Sequence, residues 1–371
     1  MFKILFISLI ISLCSGCLQL SKDPSNKSPD KQTDELSFEI LKLLPSQSEI
    51  KANCVIRAQN KIWVGTNNGI LSFDSETLEL QKHYLKNRKI GKLAVSSGNF
   101  IFARVIKKGL YSLPPDEFDF FSTGSTRIRD FVIKRGTNDV YCATSHGVDI
   151  YQNSAFKTIK VRGQGEFPKN ANNILKITQD KEGNFWLGTT FGLYKMINES
   201  SFKLYLANYQ IVQASSVINK SGNSPLIGNY FEDLKYLENL NHLLISTNTG
   251  LSILTDPQNP RNTNSWISYT GNHGKSTVVD GEVVEKKVRG NSPLPSNYIL
   301  NALQTKKSLY IGTEDGLTIF RNNKWSTLNI DSDFIDDKIM DLYLFKKLDK
   351  NIIYIATQSG IAIINEKKFA N

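Results

Sequence analysis

The four histidines of this chain, His83, His146, His242 and His273, are the first place to look for acid–base or metal chemistry. Such work needs a histidine and a partner, usually a carboxylate, at a spacing that brings both to one point. None of the four has an acidic partner in a recognised ligand or acid–base spacing. His146 and His273 lie in segments that can share one face. His83 follows the fourth strand of its structural unit, and His242 lies in a turn expected on the opposite face. No G-x-S-x-G, H-E-x-x-H or phosphate-cradling glycine loop occurs. The residues therefore predict no catalytic set, no metal site and no cofactor. Two internal cysteines, Cys54 and Cys142, fall in non-adjacent units. Packed sheets sit about 10 Å apart, whereas a disulfide needs Cα atoms within about 7 Å. Both cysteines read as small buried hydrophobes.

The elements that would carry any site are repeated. The core pattern is a large apolar residue, an apolar residue, a small residue, Thr, two variable residues, Gly, and an apolar residue. It reads W-V-G-T-N-N-G-I at Trp63, Y-C-A-T-S-H-G-V at Tyr141, W-L-G-T-T-F-G-L at Trp186 and L-I-S-T-N-T-G-L at Leu244. It returns as Y-I-G-T-E-D-G-L at Tyr310 and Y-I-A-T-Q-S-G-I at Tyr354, with a degenerate copy from Ile101 to Leu110. The marker glycines are Gly69, Gly109, Gly147, Gly192, Gly250, Gly316 and Gly360. A period of roughly 40–45 residues is the length of one four-stranded propeller blade. The fold class is therefore all-β: a seven-bladed β-propeller of four-stranded antiparallel blades.

Blade 4 has the clearest parse. Strand A is Ile174 to Thr178, B is Phe185 to Thr189, C is Leu193 to Ile197 and D is Phe202 to Leu206. Alternation puts Trp186 and Gly188 on one face of strand B. The small residue leaves room for bulky side chains of the adjacent blade. Trp63 and Trp186 are strand B aromatics, and Trp266 and Trp325 fall on strand D; all four have packing roles. The last repeat lacks an outer strand, while the apolar segment Leu36 to Leu44 has no blade of its own. That segment is expected to complete blade 7, so that residues 36–371 form one propeller with no open edge.

Two inter-blade links are long, 208–231 and 271–297. The second carries β-rich runs around Asp280-Gly281 and reads as an extra hairpin. Links from strand D to the next strand A lie on the same face as the B–C turns. The candidate binding face therefore combines both links, His273, and the turn pairs Asn67-Asn68, Ser145-His146, Thr190-Phe191, Asn248-Thr249, Glu314-Asp315 and Gln358-Ser359. Insertions in repeat proteins gather on such faces.

The N-terminus has a different character. Met1-Phe2-Lys3 precedes an apolar run from Ile4 to Leu13, too short for the roughly 20 residues of a spanning helix. Cys14-Ser15-Gly16-Cys17 resembles the lipobox of bacterial lipoproteins. That resemblance implies a signal peptide over 1–16 and a lipidated Cys17. Residues 17–35 then read as a disordered tether, polar and Pro-containing. The formal charge is +10, but the lysines are scattered without an aromatic-interleaved stripe, which argues against nucleic acid as a partner.

Leu294 to Leu303 followed by Leu309 to Leu317, together with Asp180 to Thr189, resembles the two-component regulator propeller repeat. These repeats form the sensor regions of hybrid histidine kinases, notably ones that respond to polysaccharide fragments. The resemblance runs over roughly residues 50–365 and implies an exported recognition module. The expectation is a monomeric, membrane-anchored envelope lipoprotein, outer membrane or periplasm-facing, with a non-catalytic sensory or scaffold propeller. Its partner would be an envelope protein or glycan. Streptogramin lyases share the seven-bladed fold, so the alternative is a lyase or hydrolase acting on a small or polysaccharide substrate.

Overall fold

The computed structural model describes residues 36–41, 50–113, 119–121, 127–152, 155–161, 169–213, 216–279, 282–330, 336–348 and 350–367. The expected leader over 1–16, Cys17 and the expected tether lie outside the described residues, as do Asp280 and Gly281.

Alternating apolar residues and tight turns fold the chain into seven four-stranded antiparallel sheets, each a meander from strand A at the axis to strand D at the rim. The A strands are Ala52–Ala58, Ile90–Val95, Asp130–Ile133, Ile174–Gln179, Phe231–Leu237, Ile299–Gln304 and Ile339–Lys346. Each A strand packs against the A strands of the two neighbouring blades, and that of blade 7 packs against that of blade 1, so the ring closes. Blade 4 follows with Phe185–Thr189, Leu193–Asn198 and Ser201–Tyr205, within one residue of the expected strands. The closing strand is Leu36–Leu41. It pairs antiparallel with Gly360–Lys367, Leu36 opposite Glu366 and Leu41 opposite Ile361, and supplies the missing rim strand of blade 7.

The conserved-looking Thr of the pattern has a local reason. In six B–C turns the buried Thr hydroxyl donates to the carbonyl of the glycine three residues on, at 2.8 to 3.1 Å. The same oxygen accepts the N–H two residues on. The glycine takes a positive φ, +103° at Gly69 and +148° at Gly192, which a side chain would oppose. The small residue before the Thr receives the next blade. A Cβ on Gly188 would lie 2.7 Å from Phe231, one on Gly65 2.7 Å from Ile90, and one on Gly312 2.6 Å from Ile339.

Trp63 and Trp186 are fully buried, and Trp266 nearly so. The Trp186 Nε1 donates to Asp180 Oδ2 at 3.0 Å, while Asp180 Oδ1 accepts the N–H groups of Glu182 and Asn184. One buried carboxylate thus orders the A–B turn and anchors the tryptophan that follows it. Cys54 and Cys142 are buried free thiols whose pKa values burial pushes up, and Cys54 is the third residue of its strand.

Candidate ligand-binding surface

Meander geometry places all B–C turns and D-to-A links on one face of the disc. The turn pairs do gather there, but most hold the scaffold. Asn67 exchanges hydrogen bonds with Lys51, its Oδ1 accepting the Lys51 N–H at 2.8 Å. The Asn68 Oδ1 accepts the Asn87 N–H at 2.7 Å, and its carbonyl meets His83 Nε2 at 2.6 Å. The Thr190 and Asn248 N–H groups donate to the Asn173 and Tyr230 carbonyls. Half-buried Phe191 donates its N–H to the Thr189 hydroxyl. The Lys338 ammonium donates to Glu314, and the Ser359 hydroxyl to Asp336. Exposed Ser145 and Asp315 and half-buried Gln358 complete the ring of turns. Each of these linked turns therefore ties down a segment entering or leaving its own blade.

The histidines resolve individually. His83 lies within strand D, Leu80–Tyr84, not after it, because the strand runs up to the turn it bonds. His242 opens strand B of blade 5 on the opposite face and meets Gln304 at 2.8 Å. His273 is exposed and opens an added hairpin, its Nδ1 3.2 Å from the Gly271 carbonyl. His146 has the acidic partner that spacing did not suggest: its Nε2 lies 3.4 Å from Asp149 Oδ1. Asp149 is buried in strand C and accepts from Thr158, so the pair braces an outer strand. The structure does not bring His146 and His273 together by any contact. Among the described residues no group of three or more His, Cys, Asp or Glu could hold a metal ion.

The two long links carry more. The second forms the expected hairpin, His273–Val279 with Glu282–Val288. The first, read in sequence only as a long link, also contains one, Tyr209–Gln213 with Ser216–Lys220. Each is a two-stranded sheet separate from the blades. The hairpins touch, and the Gln210 amide donates to the Ser276 carbonyl at 3.3 Å. Together they expose Tyr209, Ile211, Val212, Ile218, Val278 and Val279, with Val212 at 52%. Tyr230 and Tyr298, at the entries to blades 5 and 6, are also exposed, at 47% and 36%. The Tyr298 hydroxyl donates to Glu232 at 2.7 Å; that bond is the first cause of a raised Tyr298 pKa. Isolated exposed apolar side chains are ordinary, but a concentration of them on two touching inserted elements points to an interaction site.

The axis of the disc encloses a cavity of about 390 Å³ lined by strands A of all seven blades. Two of its carboxylates, Asp130 and Asp341, join neighbouring blades, while Asp233 pairs with Lys235 of its own strand at 3.7 Å. Asp130 accepts the Lys92 ammonium at 2.6 Å and the Ile177 N–H at 3.0 Å. Burial alone would raise its pKa, but the Lys92 and Lys176 ammonium groups more than offset this and hold it below the ordinary value. Asp341 accepts the Val55 N–H at 3.1 Å. Burial pushes its pKa up, against the Lys235 ammonium 4.0 Å away. A second recess of about 400 Å³ opens beside blades 2 and 3, lined by Arg104, Ile106, Lys107, Arg127, Ile128, Arg129 and Ser145.

Residues 168–191, the A and B strands of blade 4 with the Asp180 turn, match the family model described as two component regulator propeller. The chain carries a two component regulator propeller repeat. Seven such units, one matched by that model and six related to it by pattern and register, make the wheel. No curated protein sequence matches the chain. Among solved structures, it resembles the extracellular domain assigned to the hybrid two component system BT3049 from B. thetaiotaomicron. The TM-score is 0.63 at 15% identity, over 88% of this chain and 40% of that one. The chain thus spans about two fifths of the BT3049 domain. It also resembles YCF48 in the structure of YCF48 bound to D1 peptide, with TM-score 0.51 and 12% identity over 90% of this chain and 96% of that one. At such identities the likeness is one of fold.

Proposed function

We propose that the protein is a lipid-anchored, exported, non-catalytic propeller that binds another envelope protein through the two inserted hairpins. The observation that carries this reading is the set of exposed apolar side chains Tyr209, Ile211, Val212, Ile218, Val278 and Val279 on two hairpins that are separate from the blades. Aliphatic side chains in that number favour a protein over a glycan, because apolar burial is the main gain at a protein interface core. The structure of YCF48 with a peptide gives a precedent for a propeller of this fold engaging polypeptide. The axial carboxylates Asp130 and Asp341 bond neighbouring blades and so are occupied by structure, which weighs against the lyase or hydrolase reading.

Capture from native membranes tests the reading. Wild type should retain one specific protein, and Val212→Asp with Ile218→Asp should lose it while melting like wild type. Equal retention by the double variant would remove the hairpins from the account. The anchor rests on Gly16-Cys17 after a short apolar run. Fatty-acid labelling should mark wild type and not Cys17→Ala; equal labelling would refute it.

A further inference from the structure

Blade 2 departs from the repeat in a coordinated way. Strand pairing sets Arg104 opposite Lys92, as Gly65 is set opposite Cys54 and Gly188 opposite Lys176. Arg104 therefore fills the slot that is Gly65, Ala143, Gly188, Ser246, Gly312 or Ala356 in the other blades. The strand A residue beside it changes in the opposite sense. Gly91 stands at the bulge where blades 1, 4, 5, 6 and 7 have Asn53, Leu175, Glu232, Leu300 and Met340. A Cβ on Gly91 would lie 2.1 Å from an Arg104 Nη. A large cation has entered a small slot, and a side chain has been removed to cradle it.

The guanidinium so cradled is under-satisfied. Its Nε is buried without a hydrogen-bond partner, and one Nη reaches only the Ile128 carbonyl, at 3.4 Å. The nearby carboxylate, Asp130, is already bonded on both oxygens by Lys92, Phe131 and Ile177. Burial pulls the Arg104 pKa down, with Asp130 opposing, so the charge sits at a cost in the free protein. Arg104 lines the recess between blades 2 and 3 together with Arg127, Arg129 and Lys107, and among the described residues no carboxylate lines it. Buried polar groups without partners ask for an explanation, and a missing anion supplies one.

We propose that this recess binds a phosphate or sulfate oxyanion, held by Arg104 and Arg129 and screened at the rim by Lys107. Guanidinium forks suit such an anion through paired N–H donors. A volume of about 400 Å³ also admits an organic group esterified to the anion. The site stands apart from the hairpins and does not depend on them.

The test titrates the full-length protein with inorganic sulfate and, separately, with glucose 6-phosphate, at ionic strength fixed with chloride. Wild type should show saturable binding to at least one probe by calorimetry; the tighter probe identifies the bare anion or its ester as the ligand. Arg104→Ala restores the small residue of the other blades, so it should melt no lower than wild type while binding falls about tenfold or more, the loss of one charge-assisted contact. Gly91→Ala, which displaces the guanidinium without removing it, should weaken binding as well. No saturable binding of either probe beyond the chloride control, or equal binding by Arg104→Ala, would overturn the proposal.

Discussion

Gly188 and Phe231 show how single residues set the wheel. Strand B of one blade offers a gap, and the first residue of the next strand A fills it, with only 2.7 Å available for an added Cβ. Gly188→Ala should therefore lower stability by about 1–3 kcal/mol through overpacking. Combining it with Phe231→Leu should return part of that loss in a double-mutant cycle read by denaturant melts; zero coupling would refute the contact. This small slot was legible because strand alternation put Gly188 on the Trp186 face. Other residue roles were not legible. Asp180 is buried and receives the Trp186 indole across six residues, a bond that exists only once the turn is folded. His146 and Asp149 lie three apart, a helical spacing with no meaning in a strand, and they meet because the turn curls back. Arg104 falls in the degenerate copy from Ile101 to Leu110. Only the pairing register shows that it replaced the small residue rather than the threonine.

At the scale of elements, the legible features were those with a deficit or a turn signal. The closing strand Leu36–Leu41 could be placed because the last repeat lacked a rim strand and this apolar segment lacked a blade. The hairpin of His273–Val279 and Glu282–Val288 could be seen because Asp280-Gly281 sits between two β-rich runs. The hairpin of Tyr209–Gln213 and Ser216–Lys220 was hidden for the converse reason. Ala214-Ser215 offers no glycine or asparagine to mark a turn, and polar residues interrupt both strands. The turn pairs looked like a binding rim because they vary within a fixed frame. Their hydrogen bonds to Lys51, Asn87, Asn173 and Tyr230 show several of them to be fasteners for inter-blade links.

For the whole molecule, the repeat accounts for the disc and the departures from the repeat account for its two distinctive surfaces. Extra residues between blades 4 and 5 and between blades 5 and 6 built the apolar hairpins, and a paired exchange in blade 2 built the basic recess. Both surfaces draw on the face that carries the B–C turns. The opposite face carries the A–B turns, including Leu348 in blade 7, a fully exposed apolar residue. This gives an internal control for the central claim. A photoreactive residue should be placed at Val212 in one protein and at Leu348 in another, and both irradiated in native membranes. The account predicts a discrete crosslinked protein from Val212 and none from Leu348. A crosslink from Leu348 with none from Val212 would contradict it.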